Sequence, residues 1–164
     1  MRLVHLYPDL MNLYGDRGNI MALAKRLAWR GFNLEVVEVS VGDSLPLDCD
    51  FIFLGGGQDK EQVTVAHDLK KRKEQLTALV DSGVVTLLIC GGFQLFGRYF
   101  LTYTGEQLDG LDILDLETVG GKKRLIGNVV LRSLVPALQG SSLVGFENHS
   151  GRTFLGSGVQ PLGK

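Results

Sequence analysis

The segment Leu87-Leu88-Ile89-Cys90-Gly91-Gly92-Phe93-Gln94 holds the residue types from which nucleophilic chemistry is built. A cysteine ends an apolar, strand-sized run, two glycines follow at once, and a helical stretch begins. This is the form of a nucleophile elbow. The sharp turn lifts the sulfur out of the sheet, and residues without Cβ let helix and strand approach closely. The helix N-terminus adds partial positive charge and unpaired N–H groups, which favour thiolate over thiol and can hold a developing oxyanion. The competing reading of Cys90 is a core cysteine, since cysteine is among the most buried residue types. The strand-end position and the flanking glycines favour the nucleophile. Cys49 has no such setting and lies between Asp48 and Asp50, whose charges disfavour a thiolate.

A second glycine cluster, Gly55-Gly56-Gly57-Gln58-Asp59, follows another apolar run. It is not a phosphate loop. The Walker pattern needs a glycine, four residues, then Gly-Lys-Ser/Thr, whereas Gly121-Lys122 is followed by Lys123 and Leu116 stands at the upstream glycine position. No dinucleotide fingerprint follows the first strand, and paired metal-ligand spacings such as Cys-x-x-Cys are absent. Neither a metal nor a cofactor is expected.

The elements that must position these clusters alternate along the chain. Arg2 to Tyr7 reads as a first strand stopped by Pro8. Tyr14 to Asn19 is a polar turn, Ile20 to Leu27 an amphipathic helix that Gly31 can end, and Asn33 to Val41 an alternating, β-branched strand. Asp50 to Leu54 is a short buried strand, and Lys60 to Asp81 carries a second helix with Leu69, Leu76, Leu79 and Val80 on its apolar side. Val84 to Ile89 is the next buried strand. Strands alternating with helices predict an α/β fold, a flavodoxin-like parallel sheet with helices on both faces. In such sheets ligands bind beyond the carboxyl ends of the strands, where both glycine clusters fall. After Tyr103, Leu111 to Thr118, Arg124 to Leu131 and Leu143 to Phe146 read as short strands between glycine-rich turns, adding antiparallel strands to the core.

Composition removes several other functions. At 164 residues the chain is one domain, residues 1–164, with no visible linker or repeat. Its net charge of −1 supplies no field for a phosphate backbone, so no nucleic-acid partner is expected. No apolar run approaches the ~20 residues of a membrane helix, and the start lacks the apolar region of a signal peptide. A cytoplasmic protein without membrane insertion is the expectation. Glycine is the outlier: 22 residues, about twice the usual ~7%, which places the excess in turns and site loops.

Taken together, Ile89-Cys90-Gly91-Gly92-Phe93-Gln94, Gly55 to Asp59 and Gly145-Phe146-Glu147-Asn148-His149-Ser150-Gly151-Arg152-Thr153 resemble the class I glutamine amidotransferases of the cobyric-acid-synthase type. Tyr14-Gly15-Asp16-Arg17-Gly18-Asn19-Ile20 and the FENHSGRT stretch narrow the resemblance to the glutaminase subunits of lipid II isoglutaminyl synthases. The resemblance implies that Cys90 attacks the carboxamide of L-glutamine to form a γ-glutamyl thioester. Gly91 N–H and an N–H from the Gly56–Gly57 turn would form the oxyanion hole. It assigns Arg124 to binding the glutamine substrate, a role that a guanidinium fork suits through bidentate capture of the α-carboxylate. On residues alone, the favoured reading of Arg124 is an ordinary solvated basic patch with Lys122 and Lys123. Gln94 either lines the substrate pocket or lies on the helix surface. The resemblance further implies a partner, an ATP-dependent Mur-ligase-like synthetase that amidates the D-glutamate of lipid II, and no ATP-binding signature occurs in this chain. Amidation of cobyrinic or cobyric acid is the same-class alternative, and a non-catalytic flavodoxin-like binding module the different-class one.

A cysteine amidase needs a general base, which the family carries in a later Gly-x-Tyr-x-His-Gly-like segment that this sequence does not contain. The expectation is a domain lacking its C-terminal segment, or else a complete but weakened enzyme. Of the three histidines, His5 sits in a strand and His67 in a charged helix. His149, near Glu147, is the better placed but matches a family histidine not assigned to catalysis, so a structural loop role is expected. Leu88 stands where elbows commonly hold a small residue, which predicts rearranged packing there.

Overall fold

A computed structural model describes every residue except Leu13 and Tyr14, with the side chain of Asp59 also outside the description. Tyr14 of the polar turn therefore lies outside the described residues, as does the side chain of Asp59, which the sequence offers with Gln58 as a turn or N-cap residue. Four strands, β1 (Arg2–Leu6), β2 (Glu35–Val39), β3 (Phe51–Leu54) and β4 (Val85–Leu88), form an all-parallel sheet in the order β2-β1-β3-β4. Because side chains alternate across a strand, each face takes its own helical cover. Leu3 and Phe53 pack with Ile20 and Leu23 of α1 (Arg17–Ala28) on one side. On the other, Val4, Leu6, Ile52 and Leu54 bury against Val65, Leu69, Leu76 and Leu79 of α2 (Asp59–Lys71) and α3 (Lys73–Asp81). The expected α/β architecture with helices on both faces is the one found.

The helix expected from Lys60 to Asp81 is two helices, broken at Arg72 (φ −101°, ψ 1°). A buried cation sits at the break. Arg72 and Asp68, both nearly excluded from water, pair at 2.7 Å, Tyr7 Oη donates to Asp68 at 2.9 Å, and Arg72 Nη2 donates to the Ser40 carbonyl at 3.1 Å. A guanidinium out of water must have its hydrogen bonds met, and meeting them ties the α2–α3 junction to β1 and to the end of β2.

Beyond α4 (Gly91–Phe96) the chain builds a second sheet, in the order β6-β5-β7-β8, from β5 (Tyr99–Leu101), β6 (Gln107–Asp109), β7 (Leu116–Arg132) and β8 (Ser142–Leu155). This corrects the reading of three short antiparallel strands. Leu111 to Leu114 is not a strand, β5 pairs parallel with β7, and the other two runs belong to one long hairpin of 17- and 14-residue strands. The glycines that read as a turn sit inside β7: the β7–β8 register shifts between Gly120 and Leu125. A bulge inserts residues without ending the strand and redirects the side chains beside it. Arg124 is one of them. No helix among the described residues is long and apolar enough to cross a membrane.

Candidate active site

The elbow begins where β4 runs out. Leu88 is the last ladder residue and lies half-buried against the core, and Ile89 N–H still bonds the Leu54 carbonyl at 2.9 Å. Cys90 is therefore two residues past the strand, not its last member as the sequence suggested. It takes φ +50°, ψ −109°, outside the regions open to residues with a Cβ, and stands as the N-cap of α4 with its side chain exposed. A non-glycine residue held there is strained by about 1–3 kcal/mol, a cost that recurs at functional positions. Gly92 makes the turn possible: a Cβ on it would lie 2.6 Å from the Leu54 carbonyl oxygen.

Cys90 opens onto a cavity of about 360 Å³ that also takes in Gly57, Gln62, Gln94, Arg124, Asn148 and His149. Predicted site residues separated by up to 67 positions in the chain thus meet around one space. A second, more apolar cavity of about 630 Å³ shares Cys90 and Gln94 and extends to Phe93 and Phe146. Gln94 lines both, and its amide lies against the backbone of β8, where a Cβ on Gly151 would come within 3.0 Å of Nε2. Gln94 is thus placed at the cavities that Cys90 lines.

Of the Gly56–Gly57 turn, only one N–H is available. Gly56 N–H donates to Oδ2 of buried Asp16 at 3.0 Å, so as an oxyanion donor Gly56 is corrected by the hydrogen bond it already makes. Gly57 and Gly91, both buried, have no protein acceptor for their N–H groups among the described residues. The role of Asp16 was not foreseen, although it lies in the polar turn singled out before α1.

Arg124 stands beside the bulge, and its guanidinium is clamped from β8. Nε and Nη2 donate to Asn148 Oδ1 at 3.2 and 2.9 Å, and Nη2 also donates to the Asn148 carbonyl at 3.2 Å. Arg124 is exposed to solvent and nonetheless held by these bonds. Asn148, missed in the sequence, fixes the cation at the cavity wall while Nη1 remains outside this clamp. His149 is braced as well: Nδ1 donates to the Gly151 carbonyl at 2.8 Å, and Nε2 lies 3.1 Å from Glu147 Oε2. Both ring nitrogens are engaged within β8. Cys49 lies away from the site, and burial together with the Asp48 and Asp50 carboxylates pushes its thiol up. Among the described residues, no cluster of three His, Cys, Asp or Glu side chains could hold a metal ion.

An exposed cysteine on a strained turn beyond a parallel sheet thus lines one cavity with Gly57 and Arg124. The chain belongs to the CobB/CobQ-like glutamine amidotransferase domain family, matched over residues 2–164. It is 39% identical over 155 residues to the GatD subunit of lipid II isoglutaminyl synthase (glutamine-hydrolyzing) from Staphylococcus aureus, covering 94% of this chain and 62% of that protein. The Streptococcus pneumoniae protein of the same name is 38% identical over 166 residues, covering all of this chain and 63% of the relative. A probable cobyric acid synthase from Methanopyrus kandleri is 34% identical over 134 residues, 74% of this chain and 26% of that protein. The chain thus spans less than two thirds of the length of these relatives.

Proposed function

We propose that this chain carries the glutaminase half of a glutamine-dependent amidation. Cys90 sulfur attacks the side-chain carboxamide carbon of glutamine. The carbonyl oxygen, negative in the tetrahedral intermediate, lies against Gly91 and Gly57 N–H, and Arg124 holds the α-carboxylate. The carbon–nitrogen bond breaks, nitrogen leaves as ammonia with a proton, and a γ-glutamyl thioester remains on Cys90. Water then cleaves the carbon–sulfur bond to give glutamate and restore the thiol. Each donor in such a hole is worth ~10²-fold or more in rate.

The ammonia passes to a separate ATP-dependent synthetase of the Mur-ligase kind, which activates the acceptor carboxylate, the D-glutamate of lipid II, in the cytoplasm. The two GatD relatives support this acceptor because they match 94% of the chain or more, whereas the cobyric acid synthase matches a smaller share. The observation that carries the reading is the convergence of Cys90, Gly57 and Arg124 on one cavity. The test is release of glutamate and ammonia from glutamine labelled at the amide nitrogen, with and without the synthetase, for wild type and Cys90→Ala. Loss of release in the variant is expected. Equal rates would remove Cys90 from the mechanism.

A further inference from the structure

Gln62, in the first turn of α2, is a nearly water-excluded amide that touches both halves of the oxyanion hole. Its Nε2 donates to the Gly57 carbonyl at 3.1 Å. The same amide lies flat against Gly91, where an added Cβ would come within 2.7 Å of Nε2 and 2.9 Å of Cδ. A carbonyl oxygen only accepts, so this bond fixes which end of the amide faces Gly57. Oε1 is then left buried without a hydrogen-bond partner.

An orphaned buried acceptor is a standing cost to the fold, and a residue of the same length without it would be the more stable choice. Methionine is a residue of that length. What methionine lacks is the N–H. That donor holds the peptide after Gly57, as Asp16 holds the peptide before Gly56, so the intervening peptide, which carries the Gly57 N–H, is fixed from both sides. Preorganised donors stabilise charge because they need no reorientation when it develops.

We propose that Gln62 is a positioning residue for the oxyanion hole, holding the Gly57 loop at a set distance from Gly91 at the expense of stability. This rests on the glutaminase reading above. The test compares two alkylating agents on the full chain, with Cys90 modification followed by intact mass. Iodoacetamide reports only the thiol, whereas a diazoketone analogue of glutamine reacts through attack on a carbonyl and uses the hole. In Gln62→Met the diazoketone rate is expected to fall about ten-fold relative to the iodoacetamide rate, with a melting temperature equal to or above wild type. If Gln62→Met does not fold, Gln62→Glu, isosteric and acceptor-only when ionised, is expected to show the same fall. An unchanged rate ratio overturns the proposal, and with a lowered melting temperature it makes Gln62 a structural wedge. Failure of the wild type to react with the diazoketone, while iodoacetamide still labels Cys90, overturns the glutaminase reading instead.

Discussion

The strain at Cys90 can be measured by comparing two variants that both lack the thiol. Cys90→Ala keeps a Cβ at φ +50°, ψ −109°, and Cys90→Gly removes it. Holding a residue with a Cβ in such a conformation costs about 1–3 kcal/mol. Glycine gains that back but loses about 0.4–1 kcal/mol through the greater freedom of its unfolded chain. The net expectation is that Cys90→Gly is more stable than Cys90→Ala by about 0.5–2 kcal/mol. At this chain length that corresponds to a melting temperature higher by about 2–6 °C. Urea unfolding of both variants at pH 7 checks it, provided the two slopes agree, so that the midpoints report stability rather than a changed unfolded state. At an ordinary exposed position glycine is the less stable of the two. Finding that order here would mean that Cys90 is unstrained, and the elbow would lose its physical basis.

Three further outcomes follow from charged groups. Arg124→Lys keeps the charge but loses the planar fork that Asn148 clamps, so KM for glutamine should rise about ten- to hundred-fold with kcat little changed, read from steady-state glutaminase rates. Asp68→Ala leaves Arg72 buried without its carboxylate and should cost about 3–5 kcal/mol at pH 7, measured by urea unfolding. Burial pushes the Asp68 carboxyl up, but hydrogen bonds from Tyr7 and Arg72 more than reverse this and hold it below the usual carboxylate range. A depressed folded-state value means that the stabilisation is full above the unfolded value of about 3.9 and is lost as pH falls through the folded one. The stability gap between wild type and Asp68→Asn should therefore narrow only below about pH 4.

What the sequence disclosed divides along physical lines. Cys90, Gly57 and the parallel strands were legible because each depends on local signals: an apolar run, its end, and glycines where the backbone must turn. The hairpin was not, because glycines inside a bulge look the same in sequence as glycines in a turn, and only the partner strand decides between them. The same blindness hid Asn148, whose role depends on which residue of β7 the shifted register places beside it. Arg72 was hidden for another reason. It stands four residues after Asp68 in a stretch that reads as one amphipathic helix, and nothing local signals that both are buried.

The two sheets also divide the chemistry. The first carries backbone N–H groups and a sulfur beyond the ends of β3 and β4, groups that on the proposed mechanism act on the carbonyl as charge develops. The second contributes side chains on β7 and β8, among them Arg124 and the Asn148 that clamps it. Along β8, Glu147 and His149 share a face and brace each other, while Asn148 between them points the other way toward Arg124. Both ring nitrogens of His149 are engaged along β8, the strand that carries Asn148. Interactions made equally in bound substrate and transition state set KM, and those made only as the oxyanion forms set kcat. On the proposed mechanism, substitutions in the hairpin should therefore be felt in glutamine affinity and those in the glycine loops in turnover, because Arg124 stands on the second sheet while Gly57 and Cys90 follow strands of the first.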